Sequence, residues 1–162
     1  EPANGRIESW YQGYQMFKEH PMFGVSMGTY TDYNDLTAHN SFVLVLAELG
    51  IVGAFFFTGI FYFPFKWLAL RIKDSFECGQ DGWGEVSAAF GSLAAMMTAM
   101  FFLSRSYVML PYLVLALVIS VILRFGGVII KEMTLTLRDL KMILFILIGE
   151  IVGINAVVKF LL

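Results

Sequence analysis

The sequence predicts an all-α integral membrane protein: about four transmembrane helices preceded by an outward-facing amphipathic helix and loop. Three observations predict it. Of the 162 residues, 58% are hydrophobic and only 15% are charged, a balance that soluble domains of this size rarely reach. Four apolar runs are long enough to cross a bilayer, which takes about 20 residues of helix. Basic residues concentrate in two of the loops between those runs, as they do in cytoplasmic loops. The net charge of −2 argues against nucleic acid as a partner, and the single cysteine, Cys78, permits no intramolecular disulfide and fits no metal pattern.

Two regions follow from this reading. Residues 1–40 form an extracytoplasmic helix–loop segment, and residues 41–162 a transmembrane helical bundle. The chain begins EPANGR, with neither an initiator methionine nor a signal-peptide layout. It reads as the C-terminal part of a longer membrane protein. In GRIESWYQGYQMFKEHP, Ile7, Trp10, Tyr11, Tyr14 and Phe17 recur at helical spacing. Asn4 is a candidate cap for this helix and Pro21 a stop. The loop PMFGVSMGTYTDYNDLTAHN follows, punctuated by Gly24 and Gly28 and too polar to lie within a membrane.

The spans are expected at about 41–70, 86–103, 107–123 and 142–162. The first is too long for a ~30 Å hydrocarbon core, so it must tilt, or break near Gly50 and Gly53. Pro64 and Pro111 fall inside apolar runs, which membrane helices tolerate when neighbours satisfy the freed carbonyl. Lys66, Arg71 and Lys73 flank the inner end of the first span, and Arg124, Lys131, Arg138 and Lys141 lie between the third and fourth. Seven of the 11 Lys and Arg thus gather on one side, which reads as cytoplasmic. The turn at 104–106 and everything before Ser41 then face outward.

The residues with chemical potential lie mostly on that outer side. His39 sits beside a helix that begins near Phe42, with Asn40 or Ser41 as N-cap. A helix N-terminus disfavours the imidazolium and attracts phosphate, so His39 suits a general base. An interfacial histidine that helps to close the helix end is the alternative. Arg6 lies one turn before Trp10 and can fork onto phosphate oxygens, or pair with Glu8 at the surface. Glu48 is an acid within the first span and needs a partner; it is read as an orienting acid for His39 or Arg6, or as an interfacial residue. Glu150 lies between Gly149 and Gly153, a GxxxG-like packing face. Arg105 and Lys159 read as snorkelling cations. Asp32 and Asp35 lack the convergent oxygens of a cation site, and no P-loop, GxSxG, HExxH or GxGxxG stands in its required context.

The order of the motifs says more than each alone. GRIESW (5–10), PMFGVSMG (21–28), AHNSF (38–42) and AELGIVG (47–53) follow one another into a membrane helix. That series resembles the O-antigen ligase/polymerase family, over about a third of the chain. The resemblance implies a multi-pass glycosyltransferase of the bacterial inner membrane, with its site facing the periplasm or cell exterior. The donor is a polyprenyl-pyrophosphate-linked oligosaccharide, and the acceptor a hydroxyl on a glycan, lipid or protein. Membrane lipids are the remaining partners, and no metal or other cofactor is implied.

By the same resemblance Arg6 binds the donor pyrophosphate and His39 activates the acceptor hydroxyl. Family members also draw arginines from earlier loops that this sequence does not contain. Asn40, Trp10 and Tyr33 are candidate substrate-binding residues, and Tyr30, Tyr33 and Phe23 could offer faces to sugar rings. The chemistry agrees. Pyrophosphate is already a good leaving group, so the reaction needs charge stabilisation on phosphate and a base for the hydroxyl; attack opposite the pyrophosphate inverts the anomeric centre. Two other classes remain: a transporter of lipid-linked sugar, which predicts broken helices at the midplane and repeats, and a non-catalytic assembly subunit using the glycine face.

Overall fold

The computed structural model describes residues 3–34, 36–78, 82–104, 106–125 and 134–161. Among the described residues six helices follow in order: α1 (Ala3–Glu19), α2 (Tyr30–Tyr33), α3 (Ser41–Cys78), α4 (Trp83–Phe102), α5 (Met109–Phe125) and α6 (Leu137–Leu161). The protein is an all-α membrane protein. Among the described residues, three helices are long and apolar enough to cross a bilayer, at Ser41–Ile72, Trp83–Phe102 and Leu137–Phe160. The helix Met109–Phe125 is apolar but shorter. Asn4 falls inside α1 rather than ahead of it, because the helix already includes Ala3.

The long helix α3 organises the rest, touching α1, α4, α5 and α6. Its backbone leaves helical geometry at one residue, Gly50, with φ 63° and ψ −165°. The break resolves the excess length of the first apolar run, because two shorter helical pieces can lie at an angle where one straight rod of 32 residues cannot fit a ~30 Å core. Pro64, by contrast, sits within helical backbone. Pro111 falls in the first turn of α5, where its missing N–H has no helical partner to lose.

Breaking a helix in a membrane frees backbone groups that lipid cannot satisfy, at several kcal/mol each. Here the loop before α2 replaces what is lost. In an unbroken helix the amides of Ile51 and Val52 would donate to the carbonyls of Ala47 and Glu48. Instead the Ala47 carbonyl accepts from the Val25 amide at 3.1 Å and the Glu48 carbonyl from Ser26 at 3.0 Å. The Ile51 amide donates to Pro21 at 2.9 Å and the Val52 amide to Met22 at 3.3 Å. Two helical bonds are exchanged for four to the loop.

Two glycines permit the approach. A Cβ on Gly24 (φ 68°) would lie 2.3 Å from the Glu48 carbonyl carbon and oxygen, and one on Gly50 would lie 2.6 Å from those of Met22. At both positions the left-handed backbone and the contact exclude any larger residue.

At the opposite end, α6 is tied to α3. The buried Asp139 carboxylate takes a 2.5 Å ion pair from Lys66 and a 3.0 Å bond from the Tyr62 hydroxyl. It also accepts from the amide and hydroxyl of Thr136, which caps α6 in return by accepting from the Asp139 amide. Every partner of this buried charge is supplied, which is the condition for holding one at low cost. Residues 79–81 and 126–133, among them Lys131, and also Arg105 and Asp35, lie outside the described residues.

Candidate functional site

The candidate site lies where α1, the loop and the start of α3 meet. Asn40 is the N-cap of α3: its Oδ1 accepts from the amides of Phe42 at 2.9 Å and Val43 at 3.2 Å. It is fully buried, and its side-chain oxygen is taken up by the helix end. Ser41, the other candidate cap, uses its hydroxyl to reach the Leu103 carbonyl at 2.6 Å. Ser106 donates back to the Ser41 carbonyl at 3.0 Å, and Thr37 to the Ser104 hydroxyl at 2.6 Å. The turn between α4 and α5 is thereby stitched to both sides of His39.

His39 itself is half-buried and has left-handed backbone, φ 49°. That conformation is uncommon outside glycine, although histidine adopts it more readily than most residues, and it costs of order 1–3 kcal/mol unless its surroundings enforce it. The surroundings are on both flanks. The carbonyl of Ala38 accepts the indole N–H of Trp10 at 2.9 Å, and Asn40 is locked into the cap of α3. The backbone amide of His39 donates to the Thr37 hydroxyl at 3.4 Å.

The Trp10–Ala38 bond also sets where Arg6 stands. Arg6 is one turn before Trp10 on α1 and is exposed. The adjacent Gly5 abuts Leu36, whose side chain would lie 3.8 Å from a Cβ there. The first turns of α1 thus run beside residues 36–38, and Arg6 and His39 occupy the same end of the molecule. Further along, Gly13 lets α1 lie against α3 and α2: a Cβ would be 2.7 Å from Val43 and 3.0 Å from the Tyr30 hydroxyl. Met16 and Phe17 complete the buried face of α1, each burial contributing about 1.5–3 kcal/mol.

Glu48 has a different partner from those expected. It is fully buried, and its Oε1 accepts the backbone amide of Tyr30 at 2.8 Å. Tyr107, on the turn before α5, lies within electrostatic reach of the same carboxylate. Tyr30 donates its hydroxyl to the Ser9 carbonyl on α1, and burial pushes that hydroxyl well above the ordinary tyrosine range. Glu48, Tyr30 and Ser9 thus join α3, α2 and α1 in one chain of bonds. Tyr30 is 1% exposed and has no face to offer a sugar, whereas Phe23 and Tyr33 are open. Trp10 packs edge-on against Phe101 at 5.8 Å.

Beside Trp10 and Asn40 opens an apolar cavity of about 360 Å³, walled by Phe42, Phe101 and one face of α6 with Gly149, Glu150 and Gly153. No described residue comes within 4 Å of a Cβ placed on Gly149 or Gly153. The glycines open space within this chain rather than packing a helix. Among the described residues no three His, Cys, Asp or Glu side chains converge as metal ligands would.

The break in α3, the loop that fills it and the cap beside His39 lie within one stretch of sequence. Residues 2–58 match the O-antigen ligase family. The matched segment holds α1, both sides of the backbone clamp at Gly24 and Gly50, and Arg6, His39 and Glu48. No match was found among curated proteins or among solved structures. The matched segment therefore contains the break in α3, its backbone clamp and the cap beside His39, while α4, α5 and α6 lie outside the match.

Proposed function

We propose that the O-antigen ligase segment forms part of the catalytic site of a membrane glycosyltransferase, with His39 as general base and Arg6 as a ligand for the donor pyrophosphate. The donor is a polyprenyl-pyrophosphate-linked glycan and the acceptor a hydroxyl. His39 takes the hydroxyl proton as the acceptor oxygen bonds to the anomeric carbon. The bond from that carbon to the pyrophosphate oxygen breaks, and polyprenyl pyrophosphate leaves with its charge held by Arg6 and other cations. Inversion follows from attack opposite the leaving group. The site faces the periplasmic side of the bacterial inner membrane.

The observation that carries this reading is the Trp10–Ala38 hydrogen bond. It ties the helix bearing Arg6 to the residue before His39, which supports reading the cation and the base as parts of one site. Glu48 enters as a positioning residue, because its carboxylate is bonded to Tyr30. Trp10 and Asn40 act in the same way, and exposed Tyr33 remains a candidate contact for glycan. The test is a transfer assay in membranes with a polyprenyl-pyrophosphate-linked oligosaccharide, comparing wild type with Arg6→Ala and Arg6→Lys. The reading expects loss of polyprenyl pyrophosphate release in Arg6→Ala and partial activity in Arg6→Lys, which keeps the charge without the fork. Full activity in Arg6→Ala removes Arg6 from the donor site.

A further inference from the structure

The loop that fills the break in α3 has a second feature that the transfer reaction does not use. Residues 21–31, PMFGVSMGTYT, carry no Asp, Glu, Lys, Arg or His. Within them Met22, Phe23 and Met27 are 56%, 72% and 63% exposed. Three large apolar side chains held outward on an uncharged loop form a patch of the kind that marks an interaction surface.

The position of the patch identifies what covers it. The loop cannot swing freely, because the Met22 carbonyl is bonded to the Val52 amide and Gly24 is wedged against Glu48. Val52 begins the second piece of α3. One turn further on the same face is Phe56, 65% exposed, and one turn beyond that Ile60, 46% exposed. These two belong to the apolar outer surface of a helix that crosses the membrane. The loop tip is thus fixed at the upper end of this exposed apolar stripe.

We infer that Met22, Phe23 and Met27 are seated in the lipid at the membrane interface, so that the loop anchors the helix–loop segment on the bilayer. An apolar, uncharged tip at the headgroup–acyl boundary is favourable by the same burial that holds interfacial helices. The sequence alone places this loop outside the membrane for its polar residues. Those, however, lie mainly after Gly28, while the tip before it is apolar.

Site-directed fluorescence tests the inference. The full chain with Cys78→Ser receives Phe23→Cys or Met27→Cys, each labelled with an environment-sensitive nitrobenzoxadiazole dye, and Asp32→Cys serves as the control. The proteins are reconstituted into phosphatidylethanolamine–phosphatidylglycerol vesicles. Emission is read with nitroxide-labelled lipids and, separately, with aqueous iodide. The expected result is loss of emission at positions 23 and 27 with nitroxide lipids but not with iodide, and the reverse at position 32. Quenching of the tip labels by iodide would place them in water, and quenching by neither would place them under protein. Either overturns the inference, as does disagreement between the two tip positions.

Discussion

Gly24 and Glu48 are held backbone to backbone: a Cβ on Gly24 would stand 2.3 Å from the Glu48 carbonyl. That contact lets the loop take over the hydrogen bonds freed at Gly50. Gly24→Ala and Gly50→Ala should therefore each disrupt the outer segment. Left-handed strain alone costs about 1–3 kcal/mol, and the contacts add to it. Gly28→Ala shares the positive φ but has no atom within 4 Å, so it should cost less than either. Thermal unfolding in detergent, with limited proteolysis of residues 1–40, checks the order.

Asn40 tests the cap beside His39. Asn40→Ala removes the acceptor for two amides and should destabilise by about 0.5–2 kcal/mol, with a fall in glycan transfer as the His39 backbone relaxes. Asn40→Asp retains a capping oxygen at a helix N-terminus and should restore most of the stability. Comparable losses in both variants would show that the cap is not what Asn40 supplies.

Trp10→Phe keeps the ring against Phe101 and removes only the bond to Ala38. The expected cost in stability is about 1 kcal/mol, accompanied by a larger fractional fall in transfer rate than that cost implies. An unchanged rate in a folded Trp10→Phe protein would detach Trp10 from the positioning of His39.

Tyr30 gives a pH dependence. Its hydroxyl is raised above the ordinary value of 10.0 by burial. Below about pH 10 it is protonated in both the folded and unfolded chains and contributes no slope. Above that, the unfolded chain releases the proton while the folded chain retains it, so stability should fall as pH rises. A tyrosinate absorbance titration alongside unfolding should show this limb, and Tyr30→Phe should make it shallower.

The membrane class, the helical order and the excess length of the first span were legible because composition and run length express them directly. A break near Gly50 or Gly53 was legible as an alternative to tilt, and the structure takes it at Gly50. What fills the break was not. The partners are backbone amides and carbonyls of Pro21, Met22, Val25 and Ser26, and backbone groups have no residue signature. For the same reason Glu48 could be recognised as an acid in need of a partner but not paired with the amide of Tyr30. Tyr30 and Tyr33 look alike in sequence, yet one is buried against Ser9 and the other exposed, a difference that a spacing of three on one helical turn does not express. Gly149 and Gly153 carry a packing motif that this chain leaves open toward the cavity near Trp10.

The most direct test of the central claim is transfer by the full-length protein in membranes, comparing wild type with His39→Ala. Release of polyprenyl pyrophosphate and formation of the glycan product are followed together at matched membrane abundance. The account predicts that both fall by about 10²–10⁴-fold, the usual contribution of a positioned general base. Wild-type rates in His39→Ala would contradict it and leave His39 as a strained residue at the end of α3.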